Sequence, residues 1–187
     1  MENIRTAITE MSGATPESTD EILAHLRPIH LEKGDFLLQA GQICRRYFFI
    51  ETGAVRLYYY REAQDFTVWI GTPGQIFTDL ESYLDGVPSR IWIEAIEPSV
   101  VFTIDRTASD ALAAQSNAYN TTLRRTVEIA FVSLSRNVMS FQSESATDRY
   151  QRLAQEKDWL RQYPLRYISS FIGITQSTLS RIRARRR

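Results

Sequence analysis

The chain has 187 residues, with 22 basic and 22 acidic side chains, a 43% hydrophobic composition and one cysteine. That length supplies one ordinary core and a smaller second domain. A single cysteine excludes an internal disulfide and a four-cysteine metal or iron–sulfur site, and no apolar run approaches a membrane span.

Residues 1–10 lack the basic start and apolar stretch of a secretory signal, so a cytoplasmic setting is expected. The zero net charge hides a polarity. Residues 161–187 carry seven arginines and no acidic side chain, which leaves 15 basic against 22 acidic in residues 1–160. A basic end on an acidic body fits a chain whose smaller domain meets nucleic acid, although basic tails are also often only solvated.

In chain order, residues 3–27 read as helical. Thr15-Pro16-Glu17 and Ser18-Thr19-Asp20 offer helix starts, and Ile22, Leu23 and Leu26 form an apolar face. From Ile29 the apolar period becomes two. Short β-branched and aromatic runs begin at Phe36, Tyr47, Val55, Phe66, Ile91 and Val100. Turn signals such as Lys33-Gly34-Asp35, Thr52-Gly53 and Thr72-Pro73-Gly74 separate them, the pattern of a closed barrel or jelly roll.

Past Asp105 the strand pattern stops. Residues 108–143 contain no Gly or Pro, and Leu123, Val127, Ala130, Leu134, Asn137 and Phe141 follow at steps of four and three. That heptad-like stripe reads either as a helix packed on its own barrel or as a parallel pair between two chains. Ser145-Ala146-Thr147-Asp148 then restarts a helix through Tyr150, Leu153 and Trp159, ending before Tyr163-Pro164.

The segment Leu165–Ile182 carries the most specific pattern. Ile168 and Ile172 lie four apart with small Ser169 between them, Gly173 breaks the helix, and Thr175 can cap a second one. Leu179 and Ile182 point back to the core, giving a helix-turn-helix or a helical hairpin without a DNA role. On the opposite face Gln176, Ser177, Ser180 and Arg181 project where a recognition helix meets base edges. Thr178, Arg183, Arg185, Arg186 and Arg187 suit phosphate contacts.

Together these residues resemble the cyclic-AMP receptor protein/FNR (Crp/Fnr) family of bacterial regulators over roughly residues 20–187. The resemblance rests on Lys33-Gly34-Asp35 with Gly41, on Tyr47 to Arg56, on Pro73-Gly74-Gln75-Ile76-Phe77 and on Thr178-Leu179-Ser180-Arg181-Ile182. It implies an α+β fold: a cyclic-nucleotide-binding-like jelly roll over residues 1–107, a dimerisation helix over 108–143 and a helix-turn-helix domain over 144–187. It also implies a homodimer on a palindromic double-stranded site, with RNA polymerase and a small-molecule effector as further partners and no membrane. By the match, Gln176, Ser177 and Arg181 fall on base-reading positions and Thr178 on a phosphate-contacting one.

Two departures stand out. The family's Gly-Glu-Leu effector loop reads Thr78-Asp79-Leu80 here, and its Arg-Ser pair reads Ser89-Arg90. A one-residue shift in a strand turns a side chain to the other face, so Arg90 is expected to leave the pocket and cyclic nucleotide not to bind in the usual way. The chain also stops at Arg187, where the family continues into a β-hairpin wing.

No catalytic residue, metal site or cofactor is expected. A metal-dependent jelly-roll enzyme needs clustered His and carboxylate ligands, whereas His25 and His30 have no His-x-His partner. No Ser/His/Asp set, P-loop or dinucleotide fingerprint appears. A small-molecule-binding module that signals to a protein partner is the remaining rival, and it leaves the acid-free arginine end without a purpose. Cys44 reads as structural or incidental.

Overall fold

The computed structural model describes residues 1–62, 64–156 and 159–184, and those residues form two compact units. The first comprises Met1–Leu57 with Ile70–Ala130, the second Tyr58–Trp69 with Phe131–Arg187.

The first unit opens with α1 (Glu2–Ser12) and α2 (Pro16–Ala24), so the helical reading of 3–27 resolves into two helices and a strand, β1 (Arg27–Leu31). Thr15 caps α2 by accepting the Ser18 N–H at 3.3 Å, and Pro16 presets the first turn. The start of α1 is held by Glu51 of the barrel, whose carboxylate accepts the N–H groups of Glu2 and Ile4 at 2.7 and 3.1 Å. A negative charge suits a helix N-terminus, where backbone N–H groups lack partners. The anchored helix buries Ile4 and Ile8 against Tyr47, Phe49 and Ile104.

The barrel strands follow: β2 (Phe36–Leu38), β3 (Arg46–Thr52), β4 (Val55–Arg61), β5 (Gln64–Gly71), β6 (Ile76–Phe77), β7 (Trp92–Ala95) and β8 (Ser99–Asp105). They make two four-stranded sheets in the orders β1-β8-β3-β6 and β2-β7-β4-β5, the jelly-roll arrangement anticipated from the strand spacing. Antiparallel ladders join β1 and β3 to β8, β6 to β3, and β2 to β7. Tyr47 to Ile50 on β3 are all buried, because α1 and α4 cover the face that an ordinary outer strand shows to water.

The β3–β4 turn depends on Gly53. Its φ is +80°, and a Cβ there would lie 2.2 Å from Ser99 Oγ and 2.5 Å from the Pro98 carbonyl oxygen. Only a residue without a side chain fits that approach. Between β6 and β7 lies a short helix, α3 (Leu80–Asp85).

The expected helix over 108–143 is two helices, α4 (Arg106–Gln115) and α5 (Asn117–Ser143). Ser116 makes the break: its backbone is extended, and its hydroxyl accepts the Tyr119 N–H at 3.2 Å to start α5. Early in α5, Tyr119 is fully buried and its hydroxyl pairs with Ser109 at 2.9 Å. Thr122 and Thr126 are also buried, and each bonds back to a carbonyl of its own helix at 2.9 Å.

In the second unit α6 (Ala146–Glu156), α7 (Trp159–Gln162), α8 (Leu165–Phe171) and α9 (Gln176–Ala184) follow the end of α5. Trp159 holds this small core by edge contacts with Tyr163 and Phe171, ring centroids 6.3 and 5.3 Å away.

Candidate nucleic-acid interface

The α8–α9 pair is built around one buried side. Tyr167, Ile168 and Ser169 of α8, Ile172 after it and Leu179 of α9 are all buried. Ser169 turns its hydroxyl to the Arg166 carbonyl oxygen at 3.0 Å, so the helices can cross closely without a stranded polar group. Fully burying one leucine such as Leu179 contributes about 2–3 kcal/mol.

Gly173 makes the turn with φ +72°. The Ile174 N–H donates to the Ser169 carbonyl oxygen at 2.9 Å, and the Gly173 N–H to that of Ser170 at 3.2 Å. The Thr175 hydroxyl then accepts the Thr178 N–H at 3.2 Å, capping α9.

On the outer side Gln176, Ser177, Ser180, Arg181 and Arg183 are exposed, and Thr178 is half-buried. Arg181 donates to the Thr178 hydroxyl at 3.3 Å, so one side chain of each expected kind, base-reading and phosphate-binding, is tied to the other. The arrangement offers uncharged hydrogen-bonding groups at the start of α9 and cations along its second half. Arg185, Arg186 and Arg187 lie outside the described residues.

Arg149 of α6 fixes the base of this motif. Its Nε donates to the Ile172 carbonyl oxygen at 2.9 Å, and its Nη1 to that of Glu144 at 2.7 Å. Two carbonyls left open at helix ends are thereby satisfied. Its guanidinium also stacks over the Phe141 ring, 5.1 Å from the centroid. A hydrogen bond from Ser140, with Arg152 beside it, holds Glu144 below the ordinary carboxylate range.

Along α5, Val127, Ala130, Leu134 and Phe141 of the expected stripe are exposed. Leu123 is not part of that surface; it packs against the buried cluster of the first unit. Phe131 and Val138, which the sequence reading passed over, share the face of Leu134, and Phe131 is 68% exposed. Counting steps of four and three from Val127 through Phe131 would have found both.

The expected effector residues lie in the first unit, where the charge of Asp79 acts on Arg90. Thr78 donates to the Arg46 carbonyl oxygen at 2.8 Å, and Asp79 precedes α3, which begins at the exposed Leu80. Ser89 is buried and bonds both backbone groups of Ile91, at 3.0 and 3.1 Å. Arg90 is exposed, and its Nη2 donates to both carboxylate oxygens of Glu81 at 2.7 Å. Sequence reasoning missed Glu81, the acidic residue of α3 that faces Arg90.

Cys44 is buried, with its Sγ 3.3 Å from the Thr78 hydroxyl. His25 turns its ring to the Glu21 carbonyl oxygen at 2.9 Å, and His30 is exposed. Among the described residues no group of three His, Cys, Asp or Glu side chains could hold a metal ion. No helix among them is long and apolar enough to cross a membrane.

Residues 28–116 match the cyclic nucleotide-binding domain family. No curated protein matches the chain in sequence. Among solved structures, the catabolite activator protein of Thermus thermophilus is similar, with a TM-score of 0.60 and 20% identity over 94% of this chain and 84% of that one. The c-di-GMP-responsive global regulator CLP of Xanthomonas campestris gives a TM-score of 0.73 and 10% identity over 90% and 89%. A chain from Eubacterium rectale assigned to the Crp/Fnr family of transcriptional regulators gives 0.69 and 13% over 91% and 82%. At these identities the likeness is one of fold.

Proposed function

We propose that the protein is a dimeric, sequence-specific DNA-binding transcription regulator whose recognition helix is α9. One observation carries the reading: Gln176, Ser177, Ser180 and Arg181 are exposed on a helix that buries Leu179 and is set by a glycine turn. These are the side-chain types that pair with base edges, arginine with guanine and glutamine with adenine. The three terminal arginines add phosphate affinity that carries no sequence information. The fold shared with the catabolite activator protein and with CLP supports the same reading.

A second copy of the chain covers the exposed face of α5. Val127, Phe131, Leu134, Val138 and Phe141 recur at steps of four and three, the seam of a parallel helix pair. Such a pair sets two α9 helices about 34 Å apart, one turn of duplex DNA, and so selects a palindrome.

The barrel does not take a cyclic nucleotide in the usual way. Ser89 is turned into its own loop, and Arg90, the nearest cation of that loop, is occupied by Glu81. An effector other than a cyclic mononucleotide is compatible with this fold, since CLP is responsive to the dinucleotide c-di-GMP.

Arg181→Ala separates this reading from a module that signals only to a protein partner. Loss of specific duplex binding, with the dimer intact by sedimentation, supports the regulator. Unchanged duplex binding supports the module.

A further inference from the structure

Ser170, near the end of α8, has no part in the reading above. Its hydroxyl accepts the Thr67 N–H at 2.7 Å and donates to the Asp65 carbonyl oxygen at 3.0 Å. One side chain therefore grips a backbone donor and a backbone acceptor on the same strand. Both belong to the tip of the β4–β5 hairpin, which forms one compact unit with residues 131–187.

The hairpin is built to be stiff. Tyr59 of β4 stacks on Phe66 of β5 with ring centroids 5.4 Å apart, a cross-strand aromatic pair. Its strands run without interruption into the sheet β2-β7-β4-β5. At the other end of the contact, Ser170 is also the residue whose carbonyl accepts the Gly173 N–H, next to the Ser169–Ile174 bond that closes the turn. The same residue thus holds the hairpin by its side chain and the turn before α9 by its backbone.

We propose that Ser170 is a positioning residue for the recognition helix: it clips the helix-turn-helix to the β4–β5 hairpin, so that a displacement of those two strands reaches the turn before α9 directly. The proposal rests on the reading of α9 as the DNA-recognition helix. The clip positions rather than shields, because Gln176, Ser177, Ser180 and Arg181 remain exposed beyond it.

Amide hydrogen exchange on the full-length protein tests the clip without DNA. Ser170→Ala removes both bonds and keeps good helix propensity, whereas Ser170→Thr restores a hydroxyl. Exchange at the Thr67 amide is expected to accelerate roughly tenfold in the alanine variant, the effect of losing one or two hydrogen bonds. The Gly173 and Ile174 amides follow in the same direction, Phe49 and Val101 of the barrel stay unchanged, and the threonine variant recovers.

The consequence is read on a duplex that the wild-type protein selects from a random-sequence pool, against a scrambled duplex of equal length. The alanine variant should lose about fivefold in the ratio of the two affinities, with scrambled binding unchanged because phosphate contacts do not depend on helix register. Unchanged exchange at Gly173 and Ile174, or faster exchange with an unchanged ratio, overturns the proposal. If the wild-type protein selects no duplex, the DNA reading fails by itself, and exchange at the turn alone decides for or against the clip.

Discussion

Gly173 lies directly on the ring of Phe141: a Cβ added to the glycine would sit 2.7 Å from Phe141 Cε1. The turn before α9 is thereby packed on Phe141, an apolar residue of the exposed face of α5. Phe141 carries the Arg149 guanidinium on its ring as well, and Arg149 binds the carbonyl just before the glycine.

Gly173→Ala is therefore expected to destabilise the second unit. The left-handed φ of +72° costs a non-glycine residue about 1–2 kcal/mol, and the ring must also give way. Thermal unfolding followed by Trp159 fluorescence, with Trp69 and Trp92 replaced by Phe in both proteins, should show the loss.

The seam itself gives a second expectation. Leu134→Asp places a charge at the centre of an exposed apolar face, so the monomer should fold normally and fail to pair. Sedimentation should show a monomer with the wild-type circular dichroism. Leu123→Asp, by contrast, should damage the fold, because Leu123 packs against the core of the first unit.

Much of this was legible in the sequence. Alternating apolar residues and glycine turns located the strands, since a half-buried strand and a tight turn both leave local signals. Gly173, Thr175 and Leu179 located the helix-turn-helix for the same reason. What stayed hidden depends on contacts between distant segments. Ser170 looks like any small helical residue until a hairpin 103 positions earlier is seen bonded to it. Glu81 acquires its meaning only when the chain returns Arg90 beside it. The break at Ser116 is a serine choosing to cap rather than continue a helix, a competition that composition does not decide.

High pH should unfold the barrel unit before the arginine-rich end loses charge. Burial, with Tyr83 next to it, pushes the Tyr47 phenol from 10.0 up to about 12, and burial raises Tyr119 as well. The unfolded chain releases these protons near the ordinary tyrosine value while the folded one keeps them. Stability is therefore undiminished below pH 10 and falls by about 1.4 kcal/mol per pH unit and per group as pH rises from 10 towards 12. Tyr47→Phe should flatten that fall, measured by urea unfolding at a series of pH values.

The division of labour on DNA gives the next test. Gln176→Ala should relax sequence preference with little change in salt dependence. Removing Arg185 to Arg187 should weaken binding to every duplex and reduce the slope of log K against log salt by about 0.9 for each phosphate no longer neutralised. Equal effects of the two changes on both quantities would contradict the separate roles assigned to them.

The central claim is met most directly by incubating the purified full-length protein with random-sequence duplex DNA and sequencing the retained pool. The account predicts enrichment of a palindrome whose half-sites lie one helical turn apart, about 34 Å. A pool that stays random, with cyclic AMP, cyclic GMP or neither present, would contradict it and leave the barrel signalling to something other than DNA.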